Sequence, residues 1–152
     1  MNFTHRCVDP LEWDPARTYT HREWYKPSGL WLSVDGDWER WLADEGIEWG
    51  GEHTYSFDVD VDRCLHLATV DELDRFHDTY VVPNCPLFYG KTDAYRLNWN
   101  PLAKQHAGII IAPYLWERRM QGPASSWYYP WDCASACVWD LTAVDTPVAV
   151  QS

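Results

Sequence analysis

Between residues 16 and 28 the charge of a strongly acidic chain reverses: Arg17, Arg22 and Lys26 stand with His21 against Glu23 alone. The stretch closes on Lys26-Pro27-Ser28-Gly29, directly before the apolar run Leu30-Trp31-Leu32. Lysine and arginine beside a glycine turn are what a phosphate or diphosphate needs. The cations neutralise the oxygens, and a residue without Cβ lets the backbone come close. The competing reading is that these cations neutralise neighbouring acids on the fold. A second pair, Arg118 and Arg119, follows Ala112-Pro113-Tyr114-Leu115-Trp116-Glu117 and suits a phosphate or the flank of a helix or loop. In Thr4-His5-Arg6, strand alternation sends Thr4 and Arg6 to one face and His5 to the other.

Other chemistries have less to stand on. Cys133 and Cys137 lack the CxxC spacing of a zinc site and have no second half, so no metal is expected. A Cys137, His5, Asp132 hydrolase can be drawn, but nothing in the spacing favours it. The acids of Asp58-Val59-Asp60-Val61-Asp62 fall on one face of a strand, and the glycine and terminal glutamate of a calcium loop are missing. Trp127-Tyr128-Tyr129-Pro130-Trp131-Asp132 has the composition of a sugar-stacking platform. The small and apolar residues after it fit a buried neighbour instead.

Composition narrows the field. A chain of 152 residues with 46% hydrophobic and 23% charged residues reads as one soluble domain, spanning 1–144, with 145–152 as a C-terminal tail. A net charge of −11 argues against broad, phosphate-driven nucleic-acid binding. The absence of long apolar runs argues against a membrane span. The first residues lack the apolar stretch of a signal peptide, and the five cysteines are odd in number and irregularly spaced. The expected setting is the cytoplasm, with reduced thiols. Eleven tryptophans and nine tyrosines call for either an aromatic core or a stacking surface.

The elements that must position these residues can be read off in order. Residues 2–8 form a short first strand, and a long proline-bounded connection leads to the buried strand Gly29–Val34. The spacing of Trp38, Trp41 and Leu42 predicts a helix, capped by Asp35 or Asp37 and stopped at Gly46. Alternation of Tyr55, Phe57, Val59 and Val61 predicts a half-buried strand over 53–61, followed by a short one at 64–69. Thr69 with Glu72 has capping-box spacing and opens a helix over 70–80. Residues 83–93 read as a loop, Pro101 opens a short helix, and Gly108–Tyr114 is a central strand. Residues 117–126 read as a loop, and another strand centres on 136–142. Five to seven strands and two or three helices, not in strict alternation, give an α+β domain with mixed, mostly antiparallel sheets.

The order of these pieces resembles the ADP-ribosyltransferase-like fold of ADP-ribosylating toxins and poly-ADP-ribose polymerases. The stretches Lys26-Pro27-Ser28-Gly29-Leu30-Trp31 and Trp131-Asp132-Cys133-Ala134-Ser135-Ala136-Cys137-Val138-Trp139 are similar to the KPxGLW- and WDxxSGxxW-type motifs of small phage and bacterial proteins. The resemblance spans residues 3 to about 142. It implies NAD as substrate, a Thr4–His5 contact to a ribose, and a nicotinamide pocket lined by Gly29, Leu30, Trp31 and Ser33, with Lys26 and Arg22 on the diphosphate. A macromolecular or small acceptor would receive the ADP-ribose, in a host cytoplasm if the chain is phage-encoded. The fold's late-strand glutamate is missing here; Asp132 and Ser135 are the nearest replacements. That departure keeps open a non-catalytic protein holding a nucleotide or a protein partner, to which the acidic charge is suited.

Overall fold

A computed structural model describes residues 1–49, 51–82 and 95–150. Its spine is a seven-stranded sheet in the order β5-β7-β8-β3-β1-β4-β9. The strands are β1 (Phe3–Cys7), β3 (Leu30–Val34), β4 (His53–Phe57), β5 (Cys64–Leu67), β7 (Gly108–Ile111), β8 (Ser135–Val138) and β9 (Val148–Ala149). Within this sheet only β5 and β7 run parallel; the other neighbours are antiparallel. A separate two-stranded ribbon joins β2 (Glu23–Trp24) to β6 (Leu97–Asn98) and pins down the end of the long connection. The domain is therefore α+β with a mostly antiparallel sheet. The segment read as a C-terminal tail supplies β9, which extends the sheet edge beside β4.

The central strands show why they are central. Every residue of β7 and β8 is buried, so both faces of the sheet are covered there, and an unbroken apolar run suits that place. β3 alternates instead: Leu30, Leu32 and Val34 enter the core, while Trp31 and Ser33 are half-buried on the other face. Helix α2 (Val70–Tyr80) starts with the complete capping box. Thr69 Oγ1 accepts from the Glu72 N–H, and the Glu72 carboxylate accepts from the Thr69 N–H. It buries Leu73, Phe76 and His77.

Helix α1 (Asp37–Asp44) forms with a different start from the one expected. Its N-cap is Gly36 at φ 73°, without a side-chain cap. Asp35, also in the left-handed region, accepts from the Asn2 N–H instead, and Asp37 Oδ2 accepts from the Ala134 N–H. Both acids tie loops together, and a glycine takes the turn. Gly46 closes the helix at φ 65°, as its type predicts.

Two other expectations change. β4 stops at Phe57: Val59 makes only an isolated bridge to Val144, and Val61 is exposed in a short 3-10 turn. Five α-helices occur among the described residues, because α3 (Asn100–Gln105) is joined by two single-turn helices that overlap the two ends of the stretch 117–126 read as loop. These are α4 (Trp116–Arg119) and α5 (Ser125–Tyr128). The loop expected at 83–93 and Cys85 lie outside the described residues.

Much of the aromatic content is core. Phe76, Trp99, Trp127, Trp131 and Trp31 form a chain of ring contacts with centroids 4.9 to 6.3 Å apart. The chain runs from α2 through the core and ends at Trp31, on the half-buried face of β3. No helix among the described residues is long and apolar enough to cross a membrane.

Candidate functional site

The face of β3 that carries Trp31 and Ser33 opens onto a cleft of about 270 Å³. Sheet register sets its floor. Thr4 of β1 lies opposite Ser33 of β3, which lies opposite Ser135 of β8, so three hydroxyl residues form one row across three strands. The walls come from Lys26, from Trp38 and Glu39 of α1, from Trp49, and from Trp131, Asp132 and Cys133 ahead of β8. His5 and Arg6 line it from β1.

Two of the floor hydroxyls are already engaged. Ser33 Oγ accepts from the Trp38 N–H at 3.0 Å, fixing the start of α1 against the sheet, and keeps its own proton to donate. Ser135 Oγ donates to the Cys133 carbonyl at 2.9 Å and lies 3.3 Å from its thiol. His5 Nδ1 lies 2.9 Å from the Trp31 carbonyl, and a carbonyl can only accept. Nδ1 is therefore the donor, and Nε2 has no partner among the described residues.

Lys26 is the unusual group. Its ammonium sits 4.8 Å from the centre of the Trp31 ring, and among the described residues it makes no hydrogen bond or ion pair. Burial pulls its pKa below the ordinary lysine value, while the nearby Asp132 carboxylate works the other way. Asp132 holds a backbone φ of 61°, strained for any residue with a side chain, and aspartate tolerates it better than most. Its Oδ1 accepts from Arg119 at 3.4 Å. Arg6 is committed: Nε donates to the Gly51 carbonyl, a terminal nitrogen to the Trp49 carbonyl, and the guanidinium covers the Trp49 ring at 5.5 Å.

Among the described residues, two buried polar atoms of lining side chains have no partner. One is Glu39 Oε2, an acceptor; the other is the indole N–H of Trp131, whose side chain is only 2% exposed. Buried polar groups are normally paired, so orphaned atoms beside a cleft mark places where a ligand atom would be welcome.

The structure brings Thr4, His5, Lys26, Trp31, Ser33, Asp132 and Ser135 together on this one cleft. Three other expected residues lie elsewhere. Arg22 is exposed, with its guanidinium 4.7 Å from the centre of the Trp24 ring. Leu30 is core. Gly29 does permit a close approach, but to β8: a Cβ there would meet Cys137 Sγ and the Val138 carbonyl at 2.7 Å. The basic stretch is thus not one phosphate cradle. Arg17 covers Tyr19, Arg22 covers Trp24 and Lys26 covers Trp31, and only the last pair faces the cleft. Trp31 is correspondingly occupied, by Lys26 and by the edge-on Trp131 ring at 4.9 Å, and it is not an open stacking wall. Trp38 and Trp49, half-buried and edge to face at 6.2 Å, complete the aromatic lining; they are engaged too, Trp38 stacked on Trp41 at 5.0 Å and Trp49 covered by Arg6.

Arg6, Trp38, Glu39, Trp49, Trp131 and Cys133 were not singled out as site residues. Arg6 had a signal, since alternation puts it on the face of Thr4. Trp49 had none, because it belongs to no periodic element. Cysteine chemistry finds no support here. Burial holds the Cys133 thiol up at about 11, against a hydrogen bond with Ser135 that favours the thiolate. Cys137 is fully buried, its thiol raised well above the usual range. The sugar platform is likewise absent as an open surface: Trp127, Tyr128 and Trp131 are buried and only Tyr129 is exposed. Among the described residues no three His, Cys, Asp or Glu side chains converge as a metal site.

No family model, no curated protein and no solved structure matches this chain.

Proposed function

We propose that the cleft binds NAD through its nicotinamide–ribose end and that the protein is an ADP-ribosyltransferase-like enzyme acting in the cytoplasm. The observation that carries this proposal is the convergence of Thr4, His5, Lys26, Trp31, Ser33, Asp132 and Ser135, drawn from separate segments, on one aromatic-walled cleft.

The chemistry follows from charge. The glycosidic C–N bond breaks with its electron pair passing to the ring nitrogen, which releases neutral nicotinamide and leaves positive charge on the ribose. The Asp132 carboxylate stabilises that charge electrostatically, and an acceptor oxygen or nitrogen attacks the ribose carbon. The Ser33 hydroxyl and His5 hold the ribose hydroxyls, and His5, through Nε2, takes the proton the acceptor gives up. Lys26 meets phosphate. Moving there takes the ammonium off Trp31 and frees that ring face.

One observation favours a second proposal, a non-catalytic protein that holds a nucleotide or a protein partner. The first position of β8 is Ser135, whose hydroxyl is spent on Cys133, and the Asp132 carboxylate is shared with Arg119. The deciding experiment is incubation with NAD, following nicotinamide by NMR and the melting temperature in parallel. We expect release, and in Asp132→Asn we expect release to fall by at least about 100-fold, as when one preorganised charge-stabilising group is lost. Asparagine is the right probe because it also tolerates positive φ. Undiminished release by that variant would remove Asp132 from the mechanism. A raised melting temperature without release would favour the second proposal, and neither response would sink both nucleotide readings.

A further inference from the structure

We propose a second activity for the cleft: the Lys26 amine condenses with a small, uncharged aldehyde or ketone to give a protonated imine. This does not rest on the nucleotide reading, and no NAD enters its test.

The ground is the setting of one nitrogen. Lys26 lines the cleft, half-buried, with Nζ 4.8 Å from the centre of the Trp31 ring and, among the described residues, no hydrogen bond or ion pair. An ammonium has three N–H donors to satisfy, and a protonated imine has one. A nitrogen without acceptors therefore favours the imine over the ammonium. Burial also favours the neutral amine, the form whose lone pair attacks a carbonyl carbon, and desolvated lysines are the ones that do this chemistry. The other nucleophiles of the lining are less available. The Ser33 and Ser135 hydroxyls are hydrogen-bonded, and burial holds the Cys133 thiol up at about 11.

The amine lone pair forms a C–N bond as the carbonyl π pair moves onto oxygen, and a proton passes from nitrogen to that oxygen. The remaining nitrogen lone pair then forms C=N while the C–O bond breaks. The hydroxyl leaves as water, taking the proton that the ammonium first released. No oxidant or reductant takes part. The product carries the same positive charge as the original ammonium, so the Glu39 and Asp132 carboxylates that line the cleft continue to stabilise it.

The lining also selects the carbonyl compound. Two carboxylates repel an anion, and Arg6 is committed to the carbonyls of Gly51 and Trp49 and to the Trp49 ring. Four indoles make the rest of the lining apolar. The volume, about 270 Å³, falls just under the range of about 300–1,000 Å³ for pockets that engulf drug-sized ligands. A small uncharged aldehyde with an apolar body suits each of these features, and benzaldehyde is one.

Benzaldehyde with sodium cyanoborohydride, which reduces an imine to a stable secondary amine, tests this on the full chain at pH 7. Peptide mapping by mass spectrometry gives the rate at each lysine. We expect benzylation of Lys26 at least about tenfold faster than of Lys104, which is exposed on α3, a factor of ten being the gain in free amine when a pKa falls by about one. The Lys26 rate should saturate with benzaldehyde concentration, because the aldehyde is held in the cleft before it reacts, while the Lys104 rate stays proportional to it. Against pH the Lys26 rate should level off below the ordinary lysine value of about 10.4. Lys26→Arg keeps the charge and has no amine, so it should lose the saturable labelling and leave Lys104 labelled as before. Labelling of Lys26 no faster than of Lys104, or proportional to benzaldehyde throughout, would overturn the inference and leave the proposed function standing. Saturable labelling that persists in Lys26→Arg would overturn it too, by placing the reaction on another amine.

Discussion

Lys26 is held where burial works against its charge, over an indole face and, among the described residues, without a hydrogen bond or ion pair. A cation–π contact at such a site contributes about 0.5–2 kcal/mol, while a partly desolvated ammonium without a hydrogen bond costs more than that. Lys26→Met keeps most of the side chain's length and removes the charge, so it should stabilise the fold while weakening ligand binding. A gain of about 1 kcal/mol corresponds to a rise of about 2–4 °C in melting temperature for a domain of this size. Differential scanning calorimetry would read it, and a fall of several degrees would mean that the ammonium is satisfied in the free protein. The sequence marks Lys26 by its place before Pro27 and Gly29, but it marks Arg22 just as strongly. What separates them is burial, which depends on β3 packing beside β8 and is not local information. Glu39 was illegible for a related reason. The helical period puts Trp38, Trp41 and Leu42 on the inner side and leaves the next residue to solvent, but α1 stands at the rim of a cleft. Its boundary residue therefore becomes part of a wall.

The elements that could be read in advance are those whose signals lie within one turn. Thr69 and Glu72 announce α2 by themselves, and the capping box is present as expected. β7 is legible from its apolar run. The row Thr4, Ser33, Ser135 is not, because its register joins strands separated by about thirty and about a hundred residues in the chain. The single-turn helices α4 and α5 were invisible because four residues carry no period. α2 also carries a testable property. His77 is buried and accepts the Trp127 indole N–H on Nδ1 at 3.1 Å, so it is neutral in the fold. Burial holds its pKa below the ordinary value of about 6.5, against the opposing pull of Asp78 and Asp74, and burial lowers His21 in the same direction. A group whose folded pKa is depressed gives stability that is complete above its unfolded pKa and is lost as pH falls toward the folded one. Melting temperature should therefore decline as pH drops from about 7.5 to about 5, before the depressed carboxyls of Asp74 and Asp140 begin to matter. In His77→Gln, whose side-chain carbonyl can still accept from Trp127, the decline should be shallower. An identical slope would assign the pH dependence to other groups.

At the scale of the whole molecule, the charge of −11 sets a field that a negatively charged ligand must cross before reaching Lys26. The two effects have different ranges. Contact with the ammonium acts over a few ångströms in a partly desolvated cleft and is weakly screened, whereas repulsion by the remaining carboxylates acts at distance. The Debye length falls from about 30 Å at 0.01 M salt to about 8 Å at 0.15 M, so added salt should remove the repulsion first. NAD carries net negative charge, and its association rate should rise several-fold between those ionic strengths while its dissociation rate changes little. Stopped-flow quenching of tryptophan fluorescence can follow both rates, since four indoles line the cleft. A basic protein partner, the alternative that the acidic composition invites, requires the opposite sign. Its association is steered by attraction to the same field and slows as salt is added. The direction of the salt effect thus separates a small anion admitted against the protein's field from a macromolecule drawn in by it.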